Sequence, residues 1–83
     1  MEESTYTHYE ERMKADLEEI REKVGRLATL IERQVGDAMH SFLEKDRNLA
    51  NDVVLGDRRV NRKIRDIDHM CHAFIVRHAP SAG

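Results

Sequence analysis

Apolar residues recur every three or four positions along the first half of the chain, from Met13 to Phe42. The series consists of Met13, Leu17, Ile20, Val24, Leu27, Ile31, Val35, Ala38 and Phe42. Its mean step of about 3.6 residues is that of a straight α-helix. It predicts one long helix over about residues 8 to 43. Gly25 and Gly36 each disfavour the helix locally by about 1 kcal/mol relative to Ala but do not end it.

A second apolar series follows a short polar segment. It consists of Leu49, Val53, Val60, Ile64, Ile67, Cys71 and Phe74. Asp46 can accept hydrogen bonds from the free amides of a new first turn, so it is the predicted N-cap of a helix. The sequence therefore predicts a turn at about 44–46 and a second helix over about 47–79, because Pro80 disfavours helical geometry for the residue before it.

The connection between the two predicted helices is so short that they must lie side by side and antiparallel. The predicted fold is therefore all-α, an antiparallel two-helix hairpin. Each apolar series, with its neighbours, is wider than a single partner helix covers. We therefore expect the hairpin to be completed, by a second copy in a four-helix bundle or by sequence beyond Gly83. In a different dimer, the hairpin would open into one continuous helix and swap with its mate.

The amino-acid composition argues against a β-fold and against a nucleic-acid-binding protein. One Pro and four Gly in 83 residues leave too few turn residues for a β-fold. The formal charge of -2 provides no general attraction to nucleic acid.

The single cysteine, Cys71, cannot form an internal disulfide, which favours a reducing compartment. The N-terminal segment is acidic, and the longest uncharged run is His69–Val76. We therefore predict neither a signal peptide nor a membrane-spanning segment, and a cytoplasmic location.

Three polar residues interrupt the apolar side of the second helix. Asp57 has the same heptad phase as Ala50 and Ile64, so it is expected to point toward the core, with Asn61 and Asp68 in the neighbouring phase. A buried carboxylate is costly unless it is paired. Asp57, Asn61 and Asp68 therefore form either a polar layer that fixes helix register or an interface that contacts a partner or an ion.

Histidine residues are concentrated near the end of the second helix, at positions 69, 72 and 78. Asp68 and His72 are four residues apart, a spacing that can bring two ligands to one metal ion, but two ligands do not close a site. We therefore interpret these histidines as surface side chains and assign no metal ligand. Cys71 lies on the apolar side and is interpreted as a small buried hydrophobic residue. No catalytic arrangement is identifiable, so an enzyme is not predicted.

Five basic residues fall within eight positions of the second helix, with no acid between them. They are Arg58, Arg59, Arg62, Lys63 and Arg65. Such a run forms either a solvated helix face or a docking patch for an acidic partner or an anionic membrane surface. Phosphate binding is a further option, although no glycine-rich loop presents converging amides.

The ordered combination of residues in both helices resembles the first helical hairpin of the PhoU family. The matching segments are Leu17-Glu18-Glu19-Ile20-Arg21, Ile31-Glu32-Arg33-Gln34-Val35, Asp37-Ala38, Asp46-Arg47-Asn48-Leu49-Ala50, Asp57, Val60-Asn61, Ile67-Asp68, Cys71 and Pro80. The resemblance extends over about residues 10 to 83, so the chain looks like an N-terminal fragment of such a protein, with the third helix absent.

The resemblance implies a cytoplasmic adaptor built from two three-helix repeats. Such proteins negatively modulate phosphate-starvation signalling between a phosphate ABC transporter and a membrane sensor histidine kinase. The family can bind iron or other divalent metals through a motif on the third helix, which has no counterpart in this sequence, so no cofactor is expected here. The alternatives are a self-associating structural helical bundle with no phosphate role and a histidine-linked metal-binding module.

Overall fold

The computed structural model describes the backbone of residues 2–79 and the side chains of residues 7–79. Helix α1 extends over Glu2–Glu44 and helix α2 over Arg47–His78, and the two pack against each other as an antiparallel hairpin. The described part contains no strand and measures 65 × 20 × 13 Å. The all-α hairpin is therefore confirmed. Helix α1 begins at Glu2 rather than near residue 8. The third helix that the resemblance implies would begin within residues 80–83, which lie outside the described residues.

The turn between the helices uses two residues, Lys45 and Asp46. Lys45 has a left-handed backbone with φ of 52°, and the Asp46 N–H donates to the Ser41 carbonyl at 2.9 Å. This pairing is the Schellman motif that satisfies the last carbonyls of a helix. Asp46 also begins α2, because its Oδ1 accepts from the Leu49 N–H at 3.0 Å. The predicted N-cap is confirmed, and the same residue closes one helix and opens the next.

Helix α2 ends one residue before the predicted limit. Ala79 has extended geometry, with φ of −61° and ψ of 137°, and its N–H donates to the Ile75 carbonyl. Extended geometry is expected for a residue that precedes a proline. The sequence signal at Pro80 is therefore sufficient to explain where α2 ends.

The contact between the helices is a narrow line of half-buried residues, which we call the seam. Ser41 and Val60, at 8% and 9% exposure, are the only buried residues among those whose side chains are described. The other seam residues are Met13, Leu17, Ile20, Leu27, Leu30, Gln34, Leu49, Val53, Gly56, Ile67, Met70 and Phe74. Two helices alone thus form only a thin apolar contact, as is expected for a chain of this size.

The Gln34 side chain reaches across the seam in the part nearer the turn. The Gln34 side-chain amide donates to the Val53 carbonyl at 3.2 Å. A Cβ at position 56 would overlap that amide, so Gly56 leaves the space into which Gln34 reaches. This contact contributes to fixing the relative position of the two helices.

Candidate functional site

A row of exposed apolar side chains, interrupted by three polar residues on α2, lies along one side of the hairpin, and we call this side the open face. Most of its positions lie one residue after a seam residue, a rotation of about 100° around the helix axis. Because the helices are antiparallel, this rotation turns both rows to the same side. The open face consists of Val24, Ala28, Ile31, Val35 and Phe42 on α1 and Val54, Asp57, Asn61, Ile64, Asp68 and Ile75 on α2.

The large side chains of the open face are well exposed. Phe42 is 82% exposed, Val54 64% and Ile75 62%. Near the turn, the open face borders a depression of about 730 Å³ lined in part by Ala38, Phe42 and Ala50. The apolar series predicted for α1 is thus divided, since Leu27 belongs to the seam whereas Val24 and Ile31 are exposed.

The three polar residues expected at the core lie on the open face. Asp57, Asn61 and Asp68 are all exposed, and the Asn61 amide donates to the Asp57 carboxylate at 3.5 Å. The expectation that Asp57 points into the core of the hairpin is wrong, because the seam on α2 passes through the neighbouring positions Gly56 and Val60. Their role as an interface layer toward another helix stays a prediction.

The basic run divides into two groups according to its position around α2. Arg59 and Lys63 line a shallow depression of about 540 Å³ together with residues of α1. We call it the basic depression, and it is lined by Arg26, Thr29, Leu30, Arg33, Arg59 and Lys63. Arg58, Arg62 and Arg65 are exposed but do not line it. Sequence reasoning missed Arg26 and Arg33, whose proximity to α2 depends on the helix register.

A polar cluster joins the two helices at the end of the hairpin away from the turn. Asp16 Oδ2 accepts from Arg77 Nη1 at 3.0 Å and lies 2.7 Å from His78 Nε2. The Tyr9 hydroxyl donates to the Arg77 carbonyl at 3.1 Å, and its ring packs edge-on against His78. Phe74 lies on the imidazole as well. We call Tyr9, Asp16, Phe74, Arg77 and His78 the Asp16 cluster.

The interpretation of His78 as a surface side chain is wrong. Its side chain is only 2% exposed, because Tyr9 and Phe74 cover the ring. The pKa of Asp16 is lowered, chiefly by its hydrogen bond with His78 and then by that with Arg77. The nearness of Asp16 and His78 follows from the antiparallel register, and nothing in the local sequence around His78 indicates it.

Neither a metal site nor a membrane span is found in the described part of the chain. Among these residues, no three His, Cys, Asp or Glu side chains lie close enough to hold a metal ion. No described helix is both long enough and apolar enough to cross a bilayer. Cys71 is half-buried and is not part of a disulfide.

Comparisons with known proteins agree on one family. Residues 24–83 match the model of the PhoU domain. The chain is 35% identical over 80 residues to the phosphate-specific transport system accessory protein PhoU homolog of Pseudomonas putida, covering 96% of this chain and 31% of that protein. The corresponding proteins of Edwardsiella tarda and Escherichia coli (strain K12) are 36% and 33% identical over 75 residues, which is 90% of this chain and 31% of each relative. The chain thus spans about a third of their length. No solved structure matches it.

Proposed function

This chain belongs to the PhoU family, and we propose on that premise that it acts in the cytoplasm as a negative regulator of phosphate uptake. It does so by binding a phosphate ABC transporter and a sensor histidine kinase, without a catalytic step of its own. The proposal is supported by the relatives, which are named accessory proteins of a phosphate-specific transport system. Because the chain spans about 31% of their length, these activities are proposed from the relatives' names and the surface of this part.

The open face is the observation that carries a binding role. An accessory protein acts through contacts, and large exposed apolar patches on a protein mark interaction surfaces. Phe42, Val54 and Ile75 are exposed apolar side chains of the open face and are distributed along both helices. The polar pair Asp57 and Asn61 within it would give the contact a defined register.

Self-association is the first contact that the open face supports. Two hairpins that place their open faces together form an antiparallel four-helix bundle and cover both apolar rows without additional sequence. In this dimer Asp57, Asn61 and Asp68 would lie between the two copies. Another helix of the same protein that packed on the open face would cover the same apolar side chains.

A pull-down experiment tests the regulatory role. The tagged chain is the bait in a bacterial lysate that contains the transporter ATPase and the sensor kinase, and both are quantified by immunoblot. We expect both to be retained by the unaltered chain and lost when Ile31→Glu and Ile64→Glu place charges on the open face. Val76→Glu is the matched control, because Val76 is 76% exposed and lies outside the open face.

The result also decides between the two candidate functions. Retention of neither partner by a chain that self-associates would contradict the regulatory proposal. It would favour the alternative of a structural helical bundle with no phosphate role. The observation that favours this alternative is that the open face alone is sufficient to explain an oligomer.

A further inference from the structure

The basic depression lies on the opposite side of the hairpin from the open face. Arg26, Arg33 and Arg59 each precede a seam residue by one position, whereas most open-face residues follow one. The depression is therefore accessible even when the open face is covered by another helix. Its lining includes four cationic side chains, no acidic one, and two uncharged residues, the polar Thr29 and the apolar Leu30.

Each helix contributes two cations to this depression, Arg26 and Arg33 from α1 and Arg59 and Lys63 from α2. All four are exposed. Like charges that converge from two packed helices repel each other and disfavour the hairpin. A bound anion removes that repulsion and stabilises the folded form.

Neighbouring acids offset this charge only in part. Glu22 pairs with Arg26 along α1. Asp52 lines an adjacent depression of about 230 Å³ together with Arg33 and Arg59. No residue that lines the basic depression carries a negative charge that would offset its four positive charges.

We propose that the basic depression binds a condensed phosphate of the pyrophosphate or tripolyphosphate class. Guanidinium groups match phosphoryl oxygens with two parallel hydrogen bonds, and three of the four cations are arginines. Arg26 and Arg33 are seven residues apart, about 10 Å along the helix axis, so the four cations are spread over a greater length than a single orthophosphate occupies. A chain of linked phosphoryl groups distributes its charge over such a distance.

The dimensions of the depression fit a small ligand. A volume of about 540 Å³ falls within the range of roughly 300–1,000 Å³ that is common for small-molecule sites. All hydrogen-bond donors come from side chains, because the surrounding backbone amides are used within the helices. An acidic protein segment would instead contact the outward-facing Arg58, Arg62 and Arg65 as well. The inference is independent of the proposed regulatory function, because it concerns binding by the purified chain without a transporter or kinase.

Calorimetric titration with sodium tripolyphosphate at fixed ionic strength tests this site. The unaltered chain is compared with Arg59→Ser/Lys63→Ser, which removes two lining cations, and with Arg58→Ser/Arg62→Ser, which removes the same charge from the same helix outside the depression. We expect the first variant to bind about tenfold more weakly or worse. The control should stay within about twofold of the unaltered chain, since it loses only screened long-range attraction.

Three further measurements separate the possible explanations. Arg33→Ser, on the other helix, should weaken binding as well, which guards against a folding defect confined to α2, and circular dichroism verifies the helicity of every variant. Orthophosphate and citrate should bind at least about tenfold more weakly than tripolyphosphate, because they match fewer of the cations. The proposal is overturned if the unaltered chain does not bind tripolyphosphate, if the two double variants weaken binding equally, if Arg33→Ser has no effect, or if citrate binds as tightly as tripolyphosphate.

Discussion

Asp16 connects two segments that lie at opposite ends of the sequence. One carboxylate oxygen contacts both Arg77 and His78, which are 61 and 62 residues away. The His78 side chain is shielded from solvent, at 2% exposure, whereas the Arg77 side chain is 58% exposed. At the scale of single residues, Asp16 thus holds α1 and α2 together at the end of the hairpin opposite the turn.

The pH dependence of stability provides a prediction for Asp16. Its pKa in the folded chain is lowered from 3.8 by His78 and Arg77. A lowered folded-state pKa means that the stabilisation is present above the unfolded-state pKa and is lost as the pH falls through the lower folded-state value. Asp16→Asn should therefore have a smaller free energy of unfolding than the unaltered chain at pH 7, and this difference should shrink as the pH falls below about 4.

Urea denaturation followed by circular dichroism at a series of pH values measures this difference. Asp66→Asn, at an exposed aspartate of α2, is the control variant. A gap between Asp16→Asn and the unaltered chain that is the same at pH 7 and at pH 3 would contradict the assigned role of the carboxylate.

The residues of the Asp16 cluster could not be predicted from the sequence. Position 78 follows the apolar residues at 74 and 75 at the end of a helix, which is a common place for a surface histidine. Its burial depends on Tyr9, whose position follows from the antiparallel register and the early start of α1. To predict a contact between distant residues, one must know the register between the two helices. The amphipathic pattern defines only which side of each helix faces its neighbour.

At the scale of helices and turns, the sequence was more informative. The three-to-four spacing of apolar residues predicted both helices, because that period places side chains on one side of a helix. Asp46 predicted the start of α2 through its ability to cap free amides. The left-handed backbone of Lys45 was not predictable, because glycine or asparagine is the usual signal for it and neither is present.

The backbone of Lys45 leads to a prediction of increased stability. A non-glycine residue with positive φ carries a steric cost from its Cβ, which glycine lacks. Lys45→Gly should therefore raise the free energy of unfolding by about 0.5–1 kcal/mol. Lys23→Gly, in the exposed middle of α1, should lower it by about 1 kcal/mol. Thermal or urea unfolding of the three chains measures both changes, and a loss of stability in Lys45→Gly would be inconsistent with the turn as described.

Removing the cap of α2 provides a second prediction at this scale. Asp46→Ala leaves the Leu49 N–H without its side-chain acceptor and should cost about 1 kcal/mol of the free energy of unfolding. Asp46→Asn retains an acceptor oxygen and should lose clearly less. Equal losses in the two variants, measured by urea denaturation, would argue against the capping role.

At the scale of the whole molecule, the width of the apolar series predicted that one hairpin is incomplete. The structure divides each series between the seam and the open face, a division that depends on how the helices rotate against each other. For that reason Ile67 and Phe74 are half-buried against α1, whereas Ile64 of the same apolar series is 45% exposed. The same rotation places Asp57 on the open face and Arg59 in the basic depression.

The central claim is that the open face must be covered by another helical surface. Sedimentation velocity of the purified chain over a wide range of protein concentration tests it most directly. We predict that the unaltered chain and Val76→Glu form a dimer or larger oligomer, whereas Ile31→Glu/Ile64→Glu sediments as a helical monomer. A monomeric unaltered chain at all concentrations, or an oligomer that persists with both glutamates in place, would contradict the claim.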